Sequence, residues 1–125
     1  MRIGTNNRAI VVGMIAGLRF LKAIGPERVY ARIHELAKLN YKMACSRPYV
    51  EVVSPEDDRF YGGLLFIRIN LSDAQLTKAN QLLTQKRVWL MAGKHARVST
   101  HIHTRPKDLE IFYDSLDTGF GYKTG

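Results

Sequence analysis

The chain has 125 residues, of which 46% are hydrophobic and 24% are charged. This apolar fraction excludes an intrinsically disordered chain, and the length predicts a single domain over residues 1–125. The one cysteine, Cys45, excludes an internal disulfide framework and any site with several cysteine ligands. A lone cysteine is compatible with a reducing compartment, and we expect a cytoplasmic protein.

The charge balance leaves a binding function open. Nineteen Lys and Arg against 11 Asp and Glu give a net charge of +8. The basic residues are spread along the chain, and no basic strand carries the interleaved aromatic residues of RNA-binding folds. Nucleic acid is therefore a disfavoured partner. A small basic α+β module that binds nucleic acid or a protein partner remains the alternative hypothesis.

The first apolar run, Ala9–Leu18, is shorter than a bilayer-spanning helix. No small-residue cleavage site follows it, and the same apolar pattern continues beyond Arg19. We therefore expect neither a membrane anchor nor a secretory signal.

Apolar residues at helical spacing predict two successive helices. The first covers Arg8–Ile24 and ends at Gly25, because glycine adopts positive φ without steric cost. The second begins at Pro26 and runs to about Ala44. A long apolar helix needs a surface to cover it, so we expect an under-covered apolar face on the first helix. We predict self-association through that face as a homodimer.

After residue 48 the apolar period changes from 3.6 to 2, which predicts strands. Four are expected, with a polar loop at Ser54–Asp58 after the first: Tyr49–Val53, Leu64–Ile69, Arg87–Met91 and Ala96–Ser99.

Two further helices complete the chain. One covers Asp73–Gln85, with Ser72 and a glutamine three residues later forming a capping box. The last begins at Pro106, with Thr104 as its cap, and residues 117–125 are predicted to form a flexible tail. The order α-α-β-β-α-β-β-α predicts an α+β fold. We expect a small, mainly antiparallel sheet of about four strands, with helices packed on one face.

Three histidines lie close together in the sequence. A His-x-His pair such as His101 and His103 can bind a divalent metal ion, and His95 is a possible third ligand. No Asp or Glu lies between Asp73 and Asp108, so the neighbourhood offers no carboxylate ligand. We expect surface histidines and predict no metal site.

Two features suit anionic ligands. Gly4-Thr5-Asn6-Asn7 places a hydroxyl and free backbone N–H groups at a helix N-terminus, which suits a phosphate or merely a well-capped helix. Arg97 lies in a predicted strand, where its guanidinium can bind a carboxylate through two hydrogen bonds or face solvent. The chain has no nucleophile elbow, P-loop or dinucleotide-binding glycine motif, and no catalytic residue is predicted.

Four segments carry a family resemblance: Gly4–Asn7, Phe20–Val29, Gly62–Gly63 and Arg97–Thr104. Together they resemble the C-terminal part of class V aminotransferase-like enzymes. These are pyridoxal-phosphate proteins of fold type I that include isopenicillin N epimerase-like and cysteine desulfurase-like members. The resemblance runs from about residue 3 to residue 116.

The resemblance implies roles for particular residues. Thr5, with Gly4, would contact the cofactor phosphate of the neighbouring subunit, and Arg97 would hold the α-carboxylate of an amino-acid substrate. In the family, the Schiff-base lysine, the aspartate beside the pyridine nitrogen and the stacking aromatic all lie upstream of the Gly-Thr pair. Every lysine here lies at or after Lys22.

The resemblance therefore implies a small domain that is not catalytic alone and carries no covalently bound pyridoxal phosphate. Its expected partners are a missing large domain or a second copy of the chain. His101-Ile102-His103 stands where epimerase-like members often have a tyrosine-asparagine pair. Epimerisation, desulfuration, lyase chemistry and transamination all remain open.

Overall fold

The computed structural model describes residues 8–88 and 93–121. Over these residues the elements are α1 (Arg8–Ile24), α2 (Pro26–Cys45), β1 (Val50–Val52), a 3₁₀ turn (Asp58–Phe60), β2 (Leu64–Ile69), α3 (Asp73–Gln85), β3 (His95–Ser99) and α4 (Pro106–Phe120). The bounds of α1, β2 and α3 agree with those predicted from the sequence. The predicted α+β class is confirmed, with three strands among the described residues.

The strands form one antiparallel sheet in the order β1-β2-β3. Alternate residues of β2 and β3 are buried, so one face of the sheet forms the core and the other stays open. Helices α3 and α4 and the end of α2 pack on the core face. The buried core is Ala44, Tyr49, Leu65, Ile67, Ile69, Leu71, Leu76, Ala79, Leu83, Ala96, Val98, Leu109, Phe112, Tyr113 and Leu116.

Helix α1 lies almost entirely outside this core. None of its residues is buried, and seven large apolar side chains on it are 40 to 68% exposed: Ile10, Val11, Val12, Met14, Ile15, Leu18 and Phe20. The predicted under-covered apolar face is thus confirmed. Gly25, at a φ of 102°, separates α1 from α2. The Arg28 guanidinium donates hydrogen bonds to the Ile24 carbonyl at this point.

The two helices meet at an angle of 83°. Within residues 8–88 and 93–121, no single helix is long and apolar enough to cross a bilayer. Only the bent pair α1 and α2 together reaches the required length and composition.

Three predictions about the second half of the chain need correction or fall outside the structure. The predicted strand Arg87–Met91 lies mostly in residues 89–92, outside the described residues, and Arg87 has a φ of 55° that no regular strand adopts. The cap of α4 is Arg105, whose backbone N–H is bound by the Asp108 carboxylate; the Thr104 hydroxyl instead accepts from the His101 N–H.

The predicted tail also begins too early. Helix α4 continues to Phe120. Asp117 is only 4% exposed, and its carboxylate forms an ion pair with Arg47. Residues 122–125 lie outside the described residues.

A buried polar network joins the ends of α2, β1 and α4. The Arg47 guanidinium donates to Asp117 Oδ2 at 2.7 Å from Nη2 and to Oδ1 at 3.0 Å from Nε. The Tyr49 hydroxyl also donates to the Asp117 carboxylate, and burial raises the pKa of Tyr49 far above its ordinary value. The Arg47 guanidinium lies 4.6 Å from the centre of the Tyr113 ring. The network holds three elements together that are up to 70 residues apart.

Candidate functional site

The open face of the sheet carries the residue that the sequence singled out for carboxylate binding. Arg97 lies in the middle of β3 and pairs across the sheet with Phe66 of β2. Both side chains are exposed, since Ala96 and Val98 take the core face. The exposed residues of this face are Glu51, Leu64, Phe66, Arg68, His95, Arg97 and Ser99.

Two strand arginines lie on this face, and among the described residues only one of them has a carboxylate partner. Arg68 donates from Nη1 to both carboxylate oxygens of Glu51, at 2.7 and 3.0 Å. Arg97 forms no hydrogen bond or ion pair with any residue that the structure describes. The Arg68 charge is therefore paired, whereas the Arg97 guanidinium donors have no protein partner within residues 8–88 and 93–121.

The end of β3 beyond Arg97 is held by a close backbone approach. The Thr100 N–H donates to the Gly63 carbonyl at 2.6 Å, just before β2 begins. A Cβ atom on residue 63 would lie 2.5 Å from the Thr100 carbonyl oxygen and 2.7 Å from Ile33 Cγ2. Only glycine fits between Thr100 and Ile33, so the Gly-Gly pair noted in the sequence has a packing role at its second member.

The loop that leads to Gly62 is tied to the outer face of α2 by contacts that the sequence reasoning missed. Lys38 Nζ lies 2.6 Å from Asp58 Oδ2, and this ion pair lowers the pKa of Asp58 and raises that of Lys38. The Tyr61 ring stacks on Tyr41 at 5.6 Å and on His34 at 6.0 Å. The spacing of residues 34, 38 and 41 already indicated that they share one face of a helix. It does not indicate which loop packs against that face.

The three neighbouring histidines do not form one cluster. His95 begins β3, whereas His101 and His103 follow its far end, with their ring centres 5.1 Å apart. Among the described residues, no group of three or more His, Cys, Asp or Glu could hold a metal ion. All three histidines are exposed, which confirms the expectation of surface side chains.

The described residues do not fit a covalent pyridoxal-phosphate site. An imine-forming lysine is usually partly buried and has a lowered pKa, so that its amine is neutral. The lysines at 22, 38, 42, 78, 86, 94 and 107 are all exposed. Carboxylate partners raise the pKa of both Lys38 and Lys107. Gly4 and Thr5, predicted to contact the cofactor phosphate, lie outside the described residues.

Comparisons with known proteins agree with this picture. A protein-family model described as aminotransferase class-V matches residues 1–111 of the chain. The structure is similar to the X-ray structure of a NifS-like protein from Rickettsia africae ESF-5, with a TM-score of 0.68 and 21% sequence identity. That similarity covers 96% of this chain but only 36% of the NifS-like chain, and it concerns the fold alone. The search of curated proteins found no match. Because the family model covers 111 residues out of 125, the chain belongs to the aminotransferase class-V family.

Proposed function

We propose that this chain is the C-terminal small domain of a pyridoxal-phosphate-dependent enzyme that acts on an amino acid, and that Arg97 binds the substrate carboxylate. The proposal rests on the Arg97 guanidinium, which lies on the open sheet face without a hydrogen-bond or ion-pair partner in the part of the chain that the structure describes. Arg97 stands in the segment that resembles the carboxylate-binding strand of the family. Arg68, on the same face, already pairs with Glu51 and lies outside the segments that carry the resemblance, so Arg97 is the favoured residue.

The cofactor would be held mainly by the part of the enzyme that this chain does not contain. The chain matches 36% of the length of the NifS-like chain, which leaves room for a large domain with the Schiff-base lysine. When bound, pyridoxal phosphate acts as an electron sink for the substrate Cα. Thr5 and Gly4 would contact its phosphate in the neighbouring subunit. Epimerase, desulfurase, lyase and transaminase reactions all remain open for the intact enzyme, and a cytoplasmic location remains a prediction.

The role of Arg97 can be tested in the longer protein that contains this chain. Losing a charged, two-pronged hydrogen bond costs about 2–5 kcal/mol, so Arg97→Gln should raise the KM for the amino acid by about 30-fold or more. The matched control, Arg68→Gln, removes an arginine from the same face and should change KM less than about threefold. Equal effects of the two substitutions on KM would contradict the assignment.

The origin of the chain decides whether this test applies. The reading frame directly upstream should encode a large domain with a Ser-x-His-Lys-like lysine motif. A stop codon immediately before Met1, together with a native mass of 14.2 kDa, would overturn the enzyme proposal for this molecule. The basic binding module would then become the leading hypothesis, and salt-sensitive binding to mixed oligonucleotides would be its test.

The apolar surface of α1 gives the second partner prediction. A 17-residue helix without buried side chains is marginal in water, so we infer that a large domain covers it in the intact enzyme. The 125-residue chain alone should self-associate through α1, as a homodimer. Light scattering across a range of concentrations should show a dimer for the unchanged chain.

Leu18→Lys, in the exposed apolar surface of α1, should shift that equilibrium to monomer. Phe60→Lys is the matched control, because Phe60 is also exposed but lies in the 3₁₀ turn away from α1. A clean monomer at high concentration without any substitution would contradict self-association.

A further inference from the structure

A pair of histidines in the turn between β3 and α4 is arranged independently of the Arg97 face. The Thr104 N–H donates to the His101 carbonyl at 2.9 Å, and the Thr104 hydroxyl accepts from the His101 N–H at 2.9 Å. These two bonds close the turn on itself. His101 and His103 are both exposed, and neither ring forms a hydrogen bond with residues 8–88 or 93–121.

The distance between the two ring centres is close to that expected for two imidazole ligands of one metal ion. A zinc ion binds imidazole nitrogen at about 2.0–2.1 Å, and the ring centre lies about 1.1 Å beyond that nitrogen. Two imidazoles at a tetrahedral angle therefore place their ring centres roughly 5.2 Å apart. The observed distance between the His101 and His103 ring centres is 5.1 Å, with 36° between the ring planes. The turn thus holds the two ring centres at a distance compatible with two ligands of one cation.

We propose that His101 and His103 form an exposed site for a divalent transition-metal ion of the Zn²⁺ type, completed by water. Neutral imidazole is a favoured ligand of Zn²⁺, Ni²⁺ and Cu²⁺, whereas Mg²⁺ and Ca²⁺ prefer oxygen. His95 is excluded as a third ligand, because the length of β3 places it about 13 Å from Ser99 at 3.3 Å per residue.

The charges around the pair suit a site of modest affinity. The Asp108 carboxylate interacts electrostatically with His103 and would partly offset the charge of the cation. Asp108 is already bound to the Arg105 guanidinium at 2.7 Å, so it is not counted as a ligand. The site therefore has two protein ligands and open positions for water or for a ligand atom from outside the chain.

The test uses the 125-residue chain with Cys45→Ser, because the exposed thiol is itself a zinc ligand. Calorimetric titration with Zn²⁺ alone should give one site. His101→Gln and His103→Gln should each weaken that site at least tenfold, the lower end of the effect of disturbing a zinc environment. His95→Gln, an exposed histidine on β3, is the matched control and should leave it unchanged.

An NMR titration supplies a second measurement. The ring-nitrogen resonances of His101 and His103 should move together with one apparent dissociation constant, while those of His34 and His95 stay in place. The proposal fails if the chain does not bind Zn²⁺ at one-to-one stoichiometry. It also fails if His95→Gln weakens binding as much as His101→Gln does.

Discussion

Replacing Asp117 by Asn is expected to lower the free energy of unfolding by about 3–5 kcal/mol, the usual cost of removing one partner from a buried ion pair. Asp117 is 4% exposed and accepts hydrogen bonds from Arg47 and Tyr49. A neutral amide would leave the largely buried Arg47 guanidinium, whose side chain is 14% exposed, without a counter-charge. Because small domains are stable by only about 5–15 kcal/mol, this is a large fraction of the total.

Urea denaturation followed by circular dichroism measures the effect. Glu51→Gln is the matched control, since it also removes the carboxylate of an arginine pair but at an exposed position. An exposed pair contributes about 0–1 kcal/mol, so the Glu51→Gln midpoint should stay close to that of the unchanged chain. Similar midpoints for Asp117→Asn and Glu51→Gln would show that the Arg47–Asp117 pair is hydrated in solution.

Replacing Gly63 by Ala is expected to cost about 1–3 kcal/mol, the usual effect of an added methyl group in a filled space. The new Cβ would meet the Thr100 carbonyl oxygen at 2.5 Å, and that oxygen belongs to the backbone and cannot rotate away. The 2.6 Å hydrogen bond from the Thr100 N–H to residue 63 should weaken as β2 and β3 separate. Chemical denaturation measures the loss of stability, and faster hydrogen exchange at the Thr100 amide locates it.

Gly62→Ala is the control for this substitution. A Cβ at residue 62 meets no atom within 4 Å, and Gly62 does not have a positive φ. Alanine there should be neutral or stabilise by up to about 1 kcal/mol, because it restricts the unfolded chain. In the longer enzyme, Gly63→Ala should also raise the substrate KM, since Thr100 is three residues beyond Arg97. An unchanged Thr100 exchange rate would contradict the close approach.

Several elements could be predicted because their signals are local. The apolar spacing of α1 and α3, the break at Gly25 and the apolar run of β2 each depend on residues only a few positions apart. The capping box at Ser72 is confirmed: the Gln75 N–H donates to the Ser72 hydroxyl, and the Ser72 N–H donates to the Gln75 side chain. The 3₁₀ turn at Asp58–Phe60 was missed, since one turn leaves no periodic pattern.

The candidate site was predictable only in part. The short strand around Arg97 and its alternation placed the guanidinium opposite the buried Ala96 and Val98. The sequence could not show which of the two strand arginines was free, because the pairing of Arg68 with Glu51 depends on the register of β1 against β2. That register is set by the core, because only one alignment of the two strands places the apolar residues of both on the buried face.

By itself, the sequence determined the fold class, most element bounds, the uncovered first helix and the segments that resemble class V aminotransferases. The tertiary structure alone decided which distant residues contact one another. Arg47 binds Asp117, 70 residues away, and Thr100 binds Gly63, 37 residues away. Periodicity and capping act within one or two turns of chain. Contacts between distant residues exist only after the elements pack, so their partners are set by the shape of the assembled core.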